Sequence, residues 1–259
     1  MSIIQALILG ITQGLTELLP ISSSAHLYII PWVFNWNIPS WFDVALHFGT
    51  LLAIGLFFFK DWVGLIKGGY EYIRGNKSLD GRLFWYIVIA TIPGGIIGAI
   101  LEKYGQEILA KPVIIGIALI VMGIILYYVD KKSKADIKYK ELTLKQTFLI
   151  GISQALAFIP GVSRSGVTMT TGRFLGLTRG VAARFSFLLS APIVLGATLL
   201  KLKDFTFNLP FVAGVLASFL VGVLVIKFLL EYLRRGSFKV FAIYRVALGL
   251  IVLILAIII

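Results

Sequence analysis

Two short stretches gather the residue types that perform phosphoryl chemistry. The first, Gln13-Gly-Leu-Thr-Glu17-Leu-Leu-Pro20-Ile-Ser22-Ser23-Ser24-Ala-His26, sets an amide, a carboxylate, three hydroxyls and an imidazole into an otherwise apolar region. Gln13 and Glu17 are four apart and share a helix face. Pro20 interrupts that helix, and the serines can cap the next. Ser23 and His26, three apart, fall on one face, where an imidazole can take a hydroxyl proton. The second stretch, Pro160-Gly-Val-Ser163-Arg164-Ser165-Gly-Val-Thr168, combines a guanidinium, glycines and hydroxyls. Arginine holds phosphate oxygens bidentately, and a helix N-terminus adds N–H donors. Serines after a proline commonly do no more than satisfy backbone, and an arginine in a glycine turn can snorkel. Neither explanation covers Glu17, since an unpaired carboxylate at membrane depth costs roughly 2.5 kcal/mol or more.

The surroundings of both stretches are those of a membrane protein. Of 259 residues, 59% are hydrophobic and 14% charged, and the mean hydropathy is +0.96. No soluble domain of this size is so apolar, and the alternating strands of an outer-membrane barrel are absent. The formal charge of +12 does not mark a nucleic-acid partner, because the basic residues sit in a few loops between apolar spans. Without cysteine there is neither a disulfide framework nor a thiolate metal site. The N-terminus lacks a basic segment followed by a cleavage site and is expected to belong to the mature protein.

Six spans are predicted, at about 42–59, 83–101, 112–129, 182–200, 210–230 and 242–259. Residues 1–34 and 147–172 are apolar but broken by glycine, proline and serine, and read as two re-entrant helix pairs. Residues 35–42 form an aromatic interfacial turn. The segments 60–82, 131–145 and 234–239 hold five, six and three Lys and Arg, against two each in 103–111 and 201–203. The positive-inside rule places the richer set in the cytoplasm and opens the first re-entrant pair outward. Glu102, Glu107 and Glu231 read as solvated faces or headgroup contacts.

The chain also repeats itself. Gly10-Ile-Thr-Gln13-Gly-Leu matches Gly151-Ile-Ser-Gln154-Ala-Leu, and Ala45-Leu-His47-Phe resembles Ala182-Ala-Arg184-Phe. With one residue of slippage, Pro20 aligns with Pro160 and Ser23 with Ser163. The architecture expected is therefore all-α and polytopic. It is a single membrane domain, 1–259, built from inverted repeats at about 1–129 and 147–259, with the site near the midplane where the two breaks meet. Glu17 and His26 would then stand beside Arg164. His47 and Arg184 occupy matching repeat positions and read, like Asp43, either as residues that approach the site or, the preferred reading, as pore-side or interfacial residues.

These two stretches resemble the signature motifs of the undecaprenyl-diphosphate phosphatase family, the membrane enzymes associated with bacitracin resistance, and the likeness spans the full length. The resemblance implies hydrolysis of a C55 isoprenyl diphosphate to the monophosphate and inorganic phosphate, recycling the carrier lipid of cell-wall synthesis at the plasma membrane. It implies a (Glu/Gln)-x-x-x-Glu pair at Gln13 and Glu17 for a divalent cation, Mg²⁺ or Ca²⁺. Ser23 and His26 fall on the family's serine and histidine, and Ser163 and Arg164 on its phosphate-binding pair, with Ser165 and Thr168 beside them. Gln13 removes one charge from the pair, and Ala25 replaces the usual glycine before the histidine. The nucleophile is Ser23, or a water activated by His26 or Glu17. The partners implied are the polyprenyl diphosphate and membrane lipids; a homodimer is compatible. The competing reading is a transporter of a phosphorylated polyprenyl lipid, which the repeat alone would favour. The asymmetry of the two breaks, acid and base in one and a cation in the other, favours hydrolysis.

Overall fold

A computed structural model describes residues 1–104, 110–134 and 136–259; for 101–104 only the backbone is described. The fold is all-helical, and among the described residues the only extended pairing is an isolated bridge between Ile137 and Leu177. The helices are α1 Ile3–Thr16, α2 Ser23–Val33, α3 Ser40–Phe57, α4 Phe59–Ile73, α5 Leu79–Tyr104 and α6 Pro112–Lys132 in the first half. They are α7 Leu144–Ser153, α8 Arg164–Phe174, α9 Arg179–Lys201, α10 Leu209–Tyr232 and α11 Lys239–Ile258 in the second. Six of these, α3, α5, α6, α9, α10 and α11, are long and apolar enough to cross a membrane, at the six positions the hydropathy predicts. Their outer faces stay apolar: Leu216, Leu220, Leu224 and Phe228, four apart along α10, are 51–67% exposed. Such a stripe needs lipid as its solvent.

The segment 60–82, expected as a loop, is instead largely helix α4. Its charges obscure a second pattern. Leu65, Gly68 and Gly69 form a buried face on which α5 packs. A Cβ on Gly68 would stand 2.7 Å from Gly81 N, and the indole of Trp85 donates to Gly69 O at 3.1 Å. Glu231 is surface-exposed as expected, paired with Arg234 one turn on. Glu102 and Glu107 fall outside the residues whose side chains are described.

The interior packs each broken pair against a long helix of the other half. Helix α1 lies along α10, and α7 along α5; α6 pairs with α11, and α3 with α9. These approaches run through glycine. A Cβ on Gly10 would collide with the carbonyl of Gly214, and one on Gly151 with that of Ala90. The basic segments converge at one end. The Asp130 carboxylate accepts from Arg173 Nε at 2.8 Å, Arg179 Nε at 2.8 Å and Phe238 N at 3.0 Å, tying α6, α8, α9 and α11 together. Arg82 donates to Lys140 O at 3.0 Å, and Arg184 pairs with Asp61 while its guanidinium lies over the Tyr139 ring. Burial pushes the Tyr139 hydroxyl up to about 12 against the pull of Arg184, so it stays a neutral phenol there.

Because no side chain fits between α1 and α10, Gly10→Leu is expected to cost about 1–3 kcal/mol by overpacking. The measurement is the melting temperature in detergent, with Gly55→Leu, whose Cβ direction is open, as the neutral control.

Candidate active site

The two breaks are built alike. Helix α1 stops at Glu17, whose N–H still reaches Gln13 O at 2.9 Å. The chain then turns through Pro20 and restarts at Ser22, which has φ +77° and caps α2 by accepting from Ala25 N. In the second half α7 ends in a 3₁₀ turn, Gln154–Phe158. The chain passes Gly161 (φ +96°) and restarts at Ser163, with φ +71°, which accepts from Gly166 N at 3.0 Å. Both serines also pair with the serine two residues on, Ser22 with Ser24 at 3.2 Å and Ser163 with Ser165 at 3.3 Å. The matched residues are therefore Ser22 and Ser163, at the same offset as Gln13 and Gln154. This corrects the one-residue slippage expected from the prolines. Left-handed backbone at a non-glycine residue is strained, and it recurs at the same place because both chains must reverse into a helix there. Ser23 thus corresponds to Arg164.

Two direct hydrogen bonds and one bridging side chain join the breaks. Arg164 Nη2 donates to Glu17 Oε1 at 2.9 Å, Ser165 Oγ donates to Leu19 O at 2.9 Å, and Arg245 bridges from α11. Arg245 is fully buried, and its guanidinium donates to Pro20 O at 3.2 Å, Gly161 O at 2.8 Å, Val162 O at 2.9 Å and Leu119 O at 3.5 Å. Three of these bonds run to carbonyls that the breaks leave open, and the longest reaches Leu119 O within α6.

Glu17 is the hub. Its Oε2 accepts from Ser23 Oγ at 2.6 Å and from Gln13 Nε2 at 3.3 Å, and lies 3.3 Å from His47 Nε2. Arg164, which also donates through Nη1 to Ser186 O at 3.1 Å, offsets its charge on the other oxygen. These groups face a cavity of about 230 Å³ whose polar wall is Glu17, Ser23, Ser24, His47, Gln154, Ser163 and Arg164. The rest is apolar, with Val44 of α3, Gly94 of α5 and Ile193, Val194 and Ala197 of α9. Those helix portions lie away from the end where the basic segments gather.

The structure brings Gln13, Glu17, Ser23, Ser163 and Arg164 together and leaves three expected residues aside. His26 does not pair with Ser23: its Nδ1 contacts Ser22 O at 2.7 Å, and its Nε2 meets Tyr244 Oη at 2.6 Å. Ser23 is the first residue of α2, so its side chain leans back over the break towards Glu17, while His26 turns to α11. The Ser165 hydroxyl is committed to Leu19 O, and that of Thr168 to Arg164 O at 2.7 Å, with Ser186 Oγ also 2.7 Å away. Neither lines the cavity. Conversely, His47 enters the site while its repeat counterpart Arg184 stays at the basic end. Arg245 is absent from the motifs, yet an ionisable residue inside an apolar span was a readable signal.

For a cation, the donors are hard oxygens. Gln13 gives its N–H to Glu17, and its Oε1 is buried without a partner beside the carboxylate. Among the described residues no cluster of three or more His, Asp or Glu could hold a metal ion. One carboxylate and one amide oxygen are donors of the type Mg²⁺ takes, an ion commonly held by one or two carboxylates together with substrate phosphates.

The fold and cavity define an integral membrane protein with a hydroxyl–carboxylate–guanidinium site assembled from two helix breaks. The chain belongs to the family described as bacitracin resistance protein BacA, whose model matches residues 6–251. It is 53% identical to an undecaprenyl-diphosphatase of Pelotomaculum thermopropionicum, over 99% of this chain and 97% of that protein. It is 49% identical to one of Moorella thermoacetica, over 97% of each, and 39% identical to one of Methanosphaera stadtmanae, over 100% of this chain and 99% of that protein.

Replacing Arg245 by leucine leaves several buried carbonyls unpaired, at about 1–3 kcal/mol each. Arg245→Leu is expected to lower the melting temperature and to raise amide exchange at residues 17–22 and 159–163. Exchange confined to other segments would show that Arg245 does not hold the breaks.

Proposed function

We propose that this protein hydrolyses undecaprenyl diphosphate to undecaprenyl phosphate and inorganic phosphate in the cavity between the two breaks. The observation that carries the reading is the placement of Ser23 Oγ 2.6 Å from Glu17 Oε2, with Arg164 on the other oxygen of the same carboxylate. The family membership and the names of the relatives support it and speak against the carrier reading. The inverted repeat is supported by the matched caps and by the exchange of helix partners between the halves. With the basic segments at the cytoplasmic face of the plasma membrane, the two breaks lie within the membrane as re-entrant pairs and the cavity opens to the extracytoplasmic side.

Arg164 and the N-terminus of α8 hold the terminal phosphate. Ser23 Oγ attacks its phosphorus while its proton passes to Glu17. The bond from that phosphorus to the bridging oxygen breaks, and undecaprenyl phosphate leaves with the bond's electron pair. Water then cleaves the phosphoserine: Glu17 returns its proton to Oγ, and both hydrogens of the water depart with the phosphate. Glu17, not His26, is the base in this scheme, because the hydroxyl already donates to it. His26, joined to Ser22 O and Tyr244, sets where α2 begins and hence where Ser23 stands. Glu17 and Gln13 would hold the divalent cation, which neutralises charge on the leaving phosphate when bound.

Purified protein is expected to release phosphate from a C55 diphosphate, to lose that activity on chelation and to regain it with Mg²⁺. Glu17→Ala, Arg164→Ala and Ser23→Ala should each lower the rate by at least about 100-fold. Near-wild-type release from the first two would remove the site. Substantial turnover by Ser23→Ala alone would replace serine by water as nucleophile.

A further inference from the structure

Among the cavity side chains that the scheme leaves unused, His47 touches the catalytic carboxylate. His47 comes from α3, a third element beside the two breaks, and its Nε2 stands 3.3 Å from the Glu17 oxygen that accepts from Ser23. Its placement is not incidental. Nδ1 lies 2.7 Å from Asp43 O, one turn back, which fixes the ring plane. The helix itself is locked beside it: Ser218 Oγ donates to Leu46 O at 2.8 Å, and the Thr50 hydroxyl donates to His47 O at 2.8 Å. A Cβ on Gly49 would stand 2.6 Å from Val215 O, so α3 sits as close to α10 as backbone allows.

The hydrogens follow from the partners. A backbone carbonyl only accepts, so Nδ1 carries a hydrogen towards Asp43 O. An ionised carboxylate also only accepts, so Nε2 must present its N–H for the contact with Glu17 to be attractive. We propose that His47 is a positioning residue of the hydrolysis: its N–H holds Glu17 Oε2 at the angle from which it takes the Ser23 proton. This rests on the function proposed above. The chemistry calls for such a donor. Arg164 restrains only Oε1, and Gln13 donates from the same helix as Glu17. A carboxylate held from its own helix and from the second break can still rotate, whereas a donor from α3 fixes it from a third direction. His26 cannot take this part, since both its ring nitrogens are engaged with Ser22 and Tyr244.

The test compares His47→Gln, whose amide keeps an N–H at similar reach, with His47→Leu, which keeps volume and removes the donor. Leucine is expected to lower kcat for phosphate release from a C55 diphosphate by about 10- to 100-fold with KM nearly unchanged. Glutamine should restore most of that loss, and the melting temperature of each variant in detergent should stay near wild type. His47→Asn, polar but too short to reach Glu17, stands in for leucine should that variant fail to fold. Wild-type kinetics in the variants lacking the donor, or a glutamine variant no better than they are, overturns the inference. Absence of phosphate release from wild type overturns instead the function on which it rests.

Discussion

Everything at the centre of this protein follows from one constraint: a helix interrupted in the protein interior leaves carbonyls that water cannot reach. The fold meets it with Arg245. One guanidinium reaches Pro20 O in the first break and Gly161 O and Val162 O in the second. The breaks are thereby held face to face, and only then can Arg164 of one lie 2.9 Å from Glu17 of the other. The charge of Arg245 is spread over several carbonyl dipoles, an arrangement a planar fork of five donors suits and an ammonium does not.

Much of this was legible in the sequence. The six spans stand where apolar runs put them, because lipid demands length and hydrophobicity of each one separately. That Glu17 would meet Arg164 across 147 residues followed from two similar broken segments. Helix α4 was hidden because Lys60, Asp61, Lys67 and Glu71 interrupt its apolar residues, and the face it buries is only Leu65 and two glycines. The pairing of Ser23 with His26 failed for a reason of direction. Spacing by three assumes two residues inside a helix, and Ser23 is the first of one, facing the break.

The two histidines show the same limit. Both stand amid apolar residues on helices, and sequence gives His26 the better motif. Three-dimensional partners reverse the order: His26 is consumed by Ser22 and Tyr244, and His47 faces the carboxylate. A cavity drawn from α2, α3, α8 and the 3₁₀ turn has no linear signature beyond its two motifs. The elements that complete it contribute one to three residues each, and a single polar residue in an apolar helix carries little information until its neighbours are known.

Arg245 also bears on how such a chain enters a bilayer. A lone arginine within a span costs roughly 2.5–3.5 kcal/mol on insertion, and α11 carries this one in its first half. Pro20, Leu119, Gly161 and Val162 all precede it in the chain and so leave the ribosome first. The acceptors are made before the charge that needs them, and α11 can deliver its cation into a prepared ring of carbonyls instead of holding it in lipid while partners arrive.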